Sequence, residues 1–382
     1  MNRSWVVFLG FAAAACGSGA EAPAQNPPPG LVAQAIAGHT LYVPPGFKVN
    51  LFAENQSGAR YMALGPGNAV YLSSPGGGWV KRLVDVNHDG VADSAVTVLS
   101  GLSQPFGLAF RGDTLFVAEE DAVKKYPPGG GAPQTIVSGI PTGGHSTRTI
   151  LFGPDGKLYL SVGSSCNVCD ESDPRRAAVT QFNADGSGEH LFASGLRNSV
   201  GMAFNPTTGD LWAVNNDRDN VGGADVAMTD SAPPEHLNIL KDGKWYGWPK
   251  CYLPNHPNPE YPSADCSGVE PPGALFQAHM APLGLAFYTG SSFPAGYSGD
   301  AFVAFHGDWN RTQADGAKVM RVHVSNGVPV SSEDFVMGWL PPGATSLGPR
   351  WGRPVGLLVL PDGSLLISDD QGNRIWRVSY GK

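Results

Sequence analysis

The sequence predicts an all-β fold, a six-bladed β-propeller with a funnel along its axis, and two observations predict it. A cassette recurs six times, each copy ending in a tight turn and a short apolar strand: GPGNAVYLSS (65–74), RGDTLFVAEE (111–120), GPDGKLYLSVG (153–163), NPTTGDLWAVN (205–215), YSGDAFVAFHG (297–307) and LPDGSLLISDD (360–370). Another short strand precedes each: RYMAL, PFGLAF, RTILF, VGMAF, PLGLAF and PVGLLVL. Turn-linked strand pairs repeated at this interval are the mark of radial β repetition, in which no blade buries its own faces and all must stack. The second observation is what stands before these strands: Arg60, Gln104, His145, Arg197 with Asn198, His279 and Arg353. Equivalent positions of a radial array converge on one axis, so the funnel is expected to be polar and mostly basic.

The elements follow in order. Residues 1–16, MNRSWVVFLGFAAAAC, carry one early arginine, an apolar run and a small-residue end. They read as an export signal, too short to cross a membrane and stay. Cys16 after the alanines resembles a lipobox, which predicts an exported, periplasmic lipoprotein attached to the membrane through that cysteine; ordinary cleavage nearby is the other reading. Residues 17–40 read as a flexible tether and 41–382 as the propeller. FKVNLFAE (47–54) and RIWRVSY (374–380) are the expected closing pair of one blade, which removes open sheet edges. Spacing widens to about 90 residues between the fourth and fifth cassettes, so 216–278 reads as a loop insertion capping the funnel. No segment has a 3.6-residue apolar period of helical length. The net charge of −8 argues against nucleic acid as a partner. Beyond Cys16 there remain Cys166, Cys169, Cys251 and Cys266, an even number that in an exported chain favours disulfides. Three pairings exist, of which 166–169 with 251–266 is the simplest, and CNVC could instead be a metal or redox pair.

Four groups of residues carry chemistry. His145 sits in GGHSTR (143–148), in a turn facing the axis, and histidine is the side chain suited to accept a proton near neutral pH. Arg197 and Asn198 of GLRNSVGMAF, with Arg353 and Arg60, point to an anionic ligand, because arginine offers a rigid fork to carboxylates; the other reading is that these arginines pair with acidic residues across blades. Asn216, Asp217, Arg218 and Glu235 mark a segment rich in oxygen ligands suited to Ca²⁺. Asp85, Asn87, Asp89 and Asp93 hold positions 1, 3, 5 and 9 of an EF-hand-like loop, with Gly90 at the turn and Val96 where a bidentate Glu would stand; a structural Ca²⁺ site and a simple Asx-rich turn are both open. His279, His306, Trp309, Asn310 and Arg311 come near the same axis, and Trp309 reads equally as a stacking surface or as blade core.

These segments together resemble the glucose/sorbosone dehydrogenase family, more closely its L-sorbosone dehydrogenase branch, over essentially all of 40–380. The resemblance rests on GGHSTR, FGPDGKLYLSVGSS, GLRNSVGMAF, WYGWP, HMAPLGLAFY, FHGDWNR, GRPVG and the terminal SDD…IWRVSY, in that order. It implies a six-bladed propeller binding pyrroloquinoline quinone (PQQ) and Ca²⁺ in the funnel, which oxidises aldoses or related sugar aldehydes and passes electrons to an external acceptor. It implies His145 as general base, Arg197 at the quinone oxygens, and Gln104, Asn198, His279, Arg311 and Arg353 as cofactor contacts. The metal is implied around Asn216–Arg218, by main-chain carbonyls.

The chain departs from the family pattern at several places. Gly144 replaces an acidic residue before the histidine, Val200 a glutamine, Val355 a second arginine, Asp308 a serine, and Asp217-Arg218 a glycine–proline turn. Two other classes compete: a metal-dependent propeller lactonase, which would show acidic and amide ligands at the axis with few arginines, and a non-catalytic ligand-binding propeller.

Overall fold

The computed structural model describes residues 27–381 apart from 130, 253 and 254; the export signal and Cys16 lie outside these. Six sheets make the blades, each of four antiparallel strands with a short parallel fifth strand, Lys244–Trp245, added to blade 3, and the first strands of successive blades touch in a closed ring. Blade 1 comprises Met62–Leu64, Val70–Ser74, Trp79–Val84 and Ser94–Ser100. In blade 6 the strand Phe47–Ala53 pairs with the terminal strand Arg374–Tyr380. The expected closing pair therefore forms, and it buries Trp376 and Val378 completely.

The glycines of the first strands explain how tightly the ring closes. A Cβ at Gly284 would lie 2.1 Å from the Val355 carbonyl oxygen, and one at Gly107 2.6 Å from that of Arg148. The recurrent glycine in FGLAF, LGLAF and VGLLVL thus lets neighbouring backbones meet where any side chain would hold them apart. Hydrogen bonds then cross between blades, as from Thr149 Oγ1 to the Val200 carbonyl (2.6 Å) and from Asn216 Nδ2 to the Pro282 carbonyl (2.8 Å). Apolar clusters fill the space between blades; Trp212, Val214, Phe276, Leu285 and Phe305 form one.

Two boundaries differ from the sequence reading. Val32–Ile36 and His39–Val43 form a hairpin, so the tether expected over 17–40 ends sooner. Leu41 and Val43 are wholly buried and join the cluster of Phe47, Phe335 and Trp339, which is why the hairpin folds back onto the ring. The insertion expected over 216–278 is not all loop, because Glu235–Leu240 and Ala274–Phe276 are the third and fourth strands of blade 4. The remainder carries a short helix, Val226–Ser231, and a segment closed by the Cys251–Cys266 disulfide. The second disulfide joins Cys166 to Cys169, so the local pairing holds and CNVC is a disulfide loop. No helix of the described residues is long and apolar enough to cross a membrane.

Candidate active site

Strand register builds the site. Each first strand begins where the second ends: Arg148 faces Val162, Asn198 faces Asn216, Pro282 faces Phe305 and Pro354 faces Asp369. The residues before the first strands therefore share one face with those closing the second strands, among them Glu120, Ser164, His306 and Asp370.

His145 is held by Ser164. Its Nδ1 lies 3.0 Å from both the Ser164 carbonyl and Oγ, and that hydroxyl donates to the Cys166 carbonyl at 2.6 Å. With an obligatory acceptor beside it, Nδ1 carries the proton and Nε2 keeps its lone pair. No described residue bonds Nε2. Gly144 cannot orient the ring, and nothing larger fits there: its φ is +63°, and a Cβ would sit 2.5 Å from Ser165 Cα. Burial first, then the Arg197 charge, pulls His145 down to about 4 from 6.5. Neutral imidazole, the form able to accept a proton, thus persists at pH values where an ordinary histidine is charged. The acid limb of kcat/KM is expected near pH 4; a limb at 6 or above would contradict this environment. The same shift makes the unfolded chain bind the extra proton first, so His145 costs stability as pH falls from about 6.5 towards 4.

Arg197 does not present an open fork. Nε donates to the Asn167 carbonyl (3.2 Å), Nη1 to the Asp217 carbonyl (2.7 Å), and Nη2 to both Asn167 Oδ1 and Asp219 Oδ2 (3.0 Å each). An arginine has five N–H groups, so one, on Nη1, is left for a ligand. Asn198 stands beside His145: a Cβ on Gly163 would lie 2.5 Å from Asn198 Oδ1 and 2.6 Å from His145 Cβ. That Oδ1 is buried without a partner, an acceptor that a ligand's donor or a cation would satisfy.

Across the axis Arg60 pairs with Asp370, which also lies 2.9 Å from His306 Nε2. Burial first brings His306 down to about 3, so it is a neutral donor to Asp370. The Arg353 guanidinium donates to the His306 and Gly307 carbonyls at 2.9 and 3.2 Å and has no carboxylate partner among the described residues. Burial lowers it to about 10, and it remains a cation at neutral pH. Gln104 bonds Glu120 Oε2 at 2.8 Å. With Arg60, Phe106, Ser146, Thr147 and Asp370 it lines a cavity of 260 Å³. The funnel is therefore polar as expected but less basic, because Arg60 and Arg197 are each paired with an aspartate.

Other predicted residues stand elsewhere. His279 is buried, its Nε2 2.7 Å from the Thr229 carbonyl and its Nδ1 3.7 Å from Asp219. Arg311 turns to the carbonyls of Asp230 and Ala278, bracing the insertion. Trp309 is 64 % exposed, so it is not blade core. Asn216 bonds the Asn198 and Pro282 carbonyls, and Arg218 reaches Asn258 and Glu260. Asp217 accepts from the Arg218 amide, while Glu235 accepts from the Asp217 and Ala281 amides. Burial pushes Glu235 up to about 8, leaving it neutral at pH 7. The loop of Asp85, Asn87, Asp89 and Asp93 joins the third and fourth strands of blade 1, at the end away from the funnel. Asp85, Asn87, Asp89 and Asp93 accept from the amides of Gly90, Asp89, Val91 and Val86, respectively. Among the described residues no three acidic or histidine ligand atoms of this loop lie within 4.8 Å of one another. These are Asx-turn bonds, and Asp85 Oδ1 is left buried without a partner.

Ser164, Asn167, Asp219, Asp370 and Arg148 were not singled out from the sequence. The first four follow the ends of second strands, Asp370 as the last letter of its cassette and Ser164, Asn167 and Asp219 one to four residues beyond theirs, so aligning those ends as well as the strand beginnings was the available signal. Arg148 sits at the start of RTILF and looked like an ordinary strand residue.

The model of the TrAA12-like family matches residues 41–381. The chain belongs to the TrAA12-like family. This TrAA12-like chain is 28 % identical over 368 residues to an uncharacterized protein of Borreliella burgdorferi, covering 90 % of this chain and 92 % of that one. It is 25 % identical to the pyrroloquinoline quinone-dependent sugar dehydrogenase of Hypocrea jecorina over 64 % of each chain. Solved structures share its fold, two of them as follows. The holo PQQ domain of pyranose dehydrogenase from Coprinopsis cinerea gives a TM-score of 0.77 at 22 % identity, covering 89 % of this chain and 97 % of that one. The calcium structure of a Trichoderma reesei AA12 enzyme gives 0.76 at 22 % identity, covering 88 % and 96 %.

Proposed function

We propose that this propeller is a PQQ-dependent dehydrogenase oxidising an aldose or sugar aldehyde. The observation that carries the reading is the free Nε2 of His145 beside the single free N–H of Arg197 and the unpartnered Oδ1 of Asn198. The donor set fits the cofactor: a carboxylated, planar quinone needs cations, and Arg353 and the Arg197 N–H supply positive charge on two sides of the funnel. Asn198, Arg353 and Gln104 would hold it, and a calcium ion would take Asn198 Oδ1, the buried oxygen left without a partner. When bound, PQQ supplies the carbon that accepts hydride. His145 Nε2 takes the hydroxyl proton of the sugar as its C–H bond breaks, so the substrate loses one proton and one hydride and becomes a carbonyl. Ser164 fixes the tautomer throughout. Arg197 aims its remaining N–H where negative charge grows, already oriented before reaction.

The test is reconstitution. PQQ and Ca²⁺ added to the apo-protein should give a quinone spectrum that aldose bleaches and an added dye restores; no spectral change with PQQ would sink the reading. Electrons then leave to an external acceptor. Export and membrane attachment through lipidated Cys16 belong to the same proposal, and the mass of the mature amino-terminal peptide decides them.

A further inference from the structure

The four-residue ring Cys166–Asn167–Val168–Cys169 touches Arg197 directly and reaches His145 through Ser164. The Cys166 carbonyl accepts the hydroxyl proton of Ser164, the residue that orients His145. Asn167 does more. Its carbonyl accepts from Arg197 Nε (3.2 Å) and Trp248 Nε1 (2.9 Å), and its Oδ1 from Arg197 Nη2 (3.0 Å) and the Asp219 amide (2.8 Å). Its Nδ2 donates to the Asp219 carbonyl at 3.0 Å. Two of the four bonds that hold the Arg197 guanidinium therefore come from one asparagine. That asparagine belongs to no blade strand, and what closes its loop is the disulfide on either side of it.

We propose that Asn167 is the positioning residue for Arg197, and that the Cys166–Cys169 disulfide holds it in that role, so that reduction of this bond loosens the wall of the funnel. The catalytic meaning rests on the proposed roles of Arg197 and His145; the positioning itself does not. A long, flexible side chain such as arginine adopts one orientation only when several acceptors with little freedom of their own define it. A ring closed through one disulfide leaves Asn167 few alternative conformations. Both cysteines are only partly buried, so a small dithiol has a route to them. Reduction breaks the S–S bond; two electrons and two protons pass from the dithiol, which becomes a cyclic disulfide, and two thiols remain.

The experiment reads the apo-protein first. By NMR at low temperature, the Arg197 Nη2–H that donates to Asn167 Oδ1, assigned through Arg197→Lys, should exchange slowly with solvent in the oxidised wild type. Exchange should be at least tenfold faster in Asn167→Ala, in Cys166→Ser/Cys169→Ser and after dithiothreitol. Asn167→Asp keeps the oxygen that Arg197 uses and should restore slow exchange. Unchanged exchange in folded Asn167→Ala, with the same thermal midpoint as the wild type, overturns the positioning role. Unchanged exchange in the folded double serine variant overturns the role of the disulfide. A second arm measures PQQ binding by equilibrium dialysis, where Asn167→Ala should weaken affinity roughly tenfold, as loss of an outer-shell partner does. A wild type that binds no PQQ would defeat the proposed function and leave the exchange result standing on its own.

Discussion

His145→Ala is expected to lower kcat by about 10²–10⁴-fold, the usual contribution of a positioned general base, while PQQ still binds. The separation of effects follows from the geometry. The ring's Nδ1 is spent on Ser164, and its Nε2 touches no described residue, so deletion removes a group whose only free atom faces the ligand space. Stopped-flow bleaching of the quinone band by aldose, beside dialysis with PQQ alone, measures the two effects independently. A variant that bleaches at the wild-type rate would remove His145 as the base. Ser164→Ala probes the same bond from behind. The carbonyl acceptor of Nδ1 stays, so the tautomer survives and a smaller loss is expected than for His145→Ala.

The largest effect on stability is expected at Arg148. Its side chain is completely buried, yet no carboxylate pairs with it among the described salt bridges. Instead it donates to four main-chain carbonyls: Glu120 (3.0 Å), His145 (2.7 Å), Thr147 (2.8 Å) and Pro141 (2.6 Å). Three of these acceptors belong to the segment that carries His145, which has no regular ladder to satisfy them, and the fourth follows the second strand of blade 2. Arg148→Met keeps the apolar stem and strands the carbonyls, at a cost of roughly 3–5 kcal/mol. Arg148→Lys retains charge but cannot reach acceptors spread around a planar fork, so it should recover little. Urea unfolding of both variants provides the check. A loss below about 1 kcal/mol would mean that water or a shifted turn satisfies the carbonyls equally well.

How much was legible in the sequence depends on whether a property repeats. The blades repeat, and so their number, the closing pair of strands and the axial position of His145, Arg197 and Asn198 could be read from the cassettes. Blade 4 was misread as partly insertion because its third and fourth strands, EHLNIL and ALF, are separated by the Cys251–Cys266 segment and fall outside the cassette spacing. The hairpin at 32–43 repeats nothing; its burial against Phe335 and Trp339 is a tertiary contact with no local trace. The pairing of arginines was hidden for a related reason. Arg60 meets Asp370 from 310 positions away, and Arg197 meets Asp219 across a strand turn. A position on the axis can be inferred from equivalence between copies, but the partner of a charge depends on two copies at once.

The pairing of Phe47–Ala53 with Arg374–Tyr380 also sets the order in which the chain can fold. Made from its amino end, the first blade strand emerges long before its partner and must wait, with Phe47, Val49 and Phe52 uncovered, until Arg374–Tyr380 has been made. Every other blade draws its strands from a far shorter stretch of chain; the sixth does not. Contacts between such distant segments form late and slowly, and an unpaired apolar strand is where a nascent chain adheres to another. The ring is thus secured at the one place where, during synthesis, it is longest exposed.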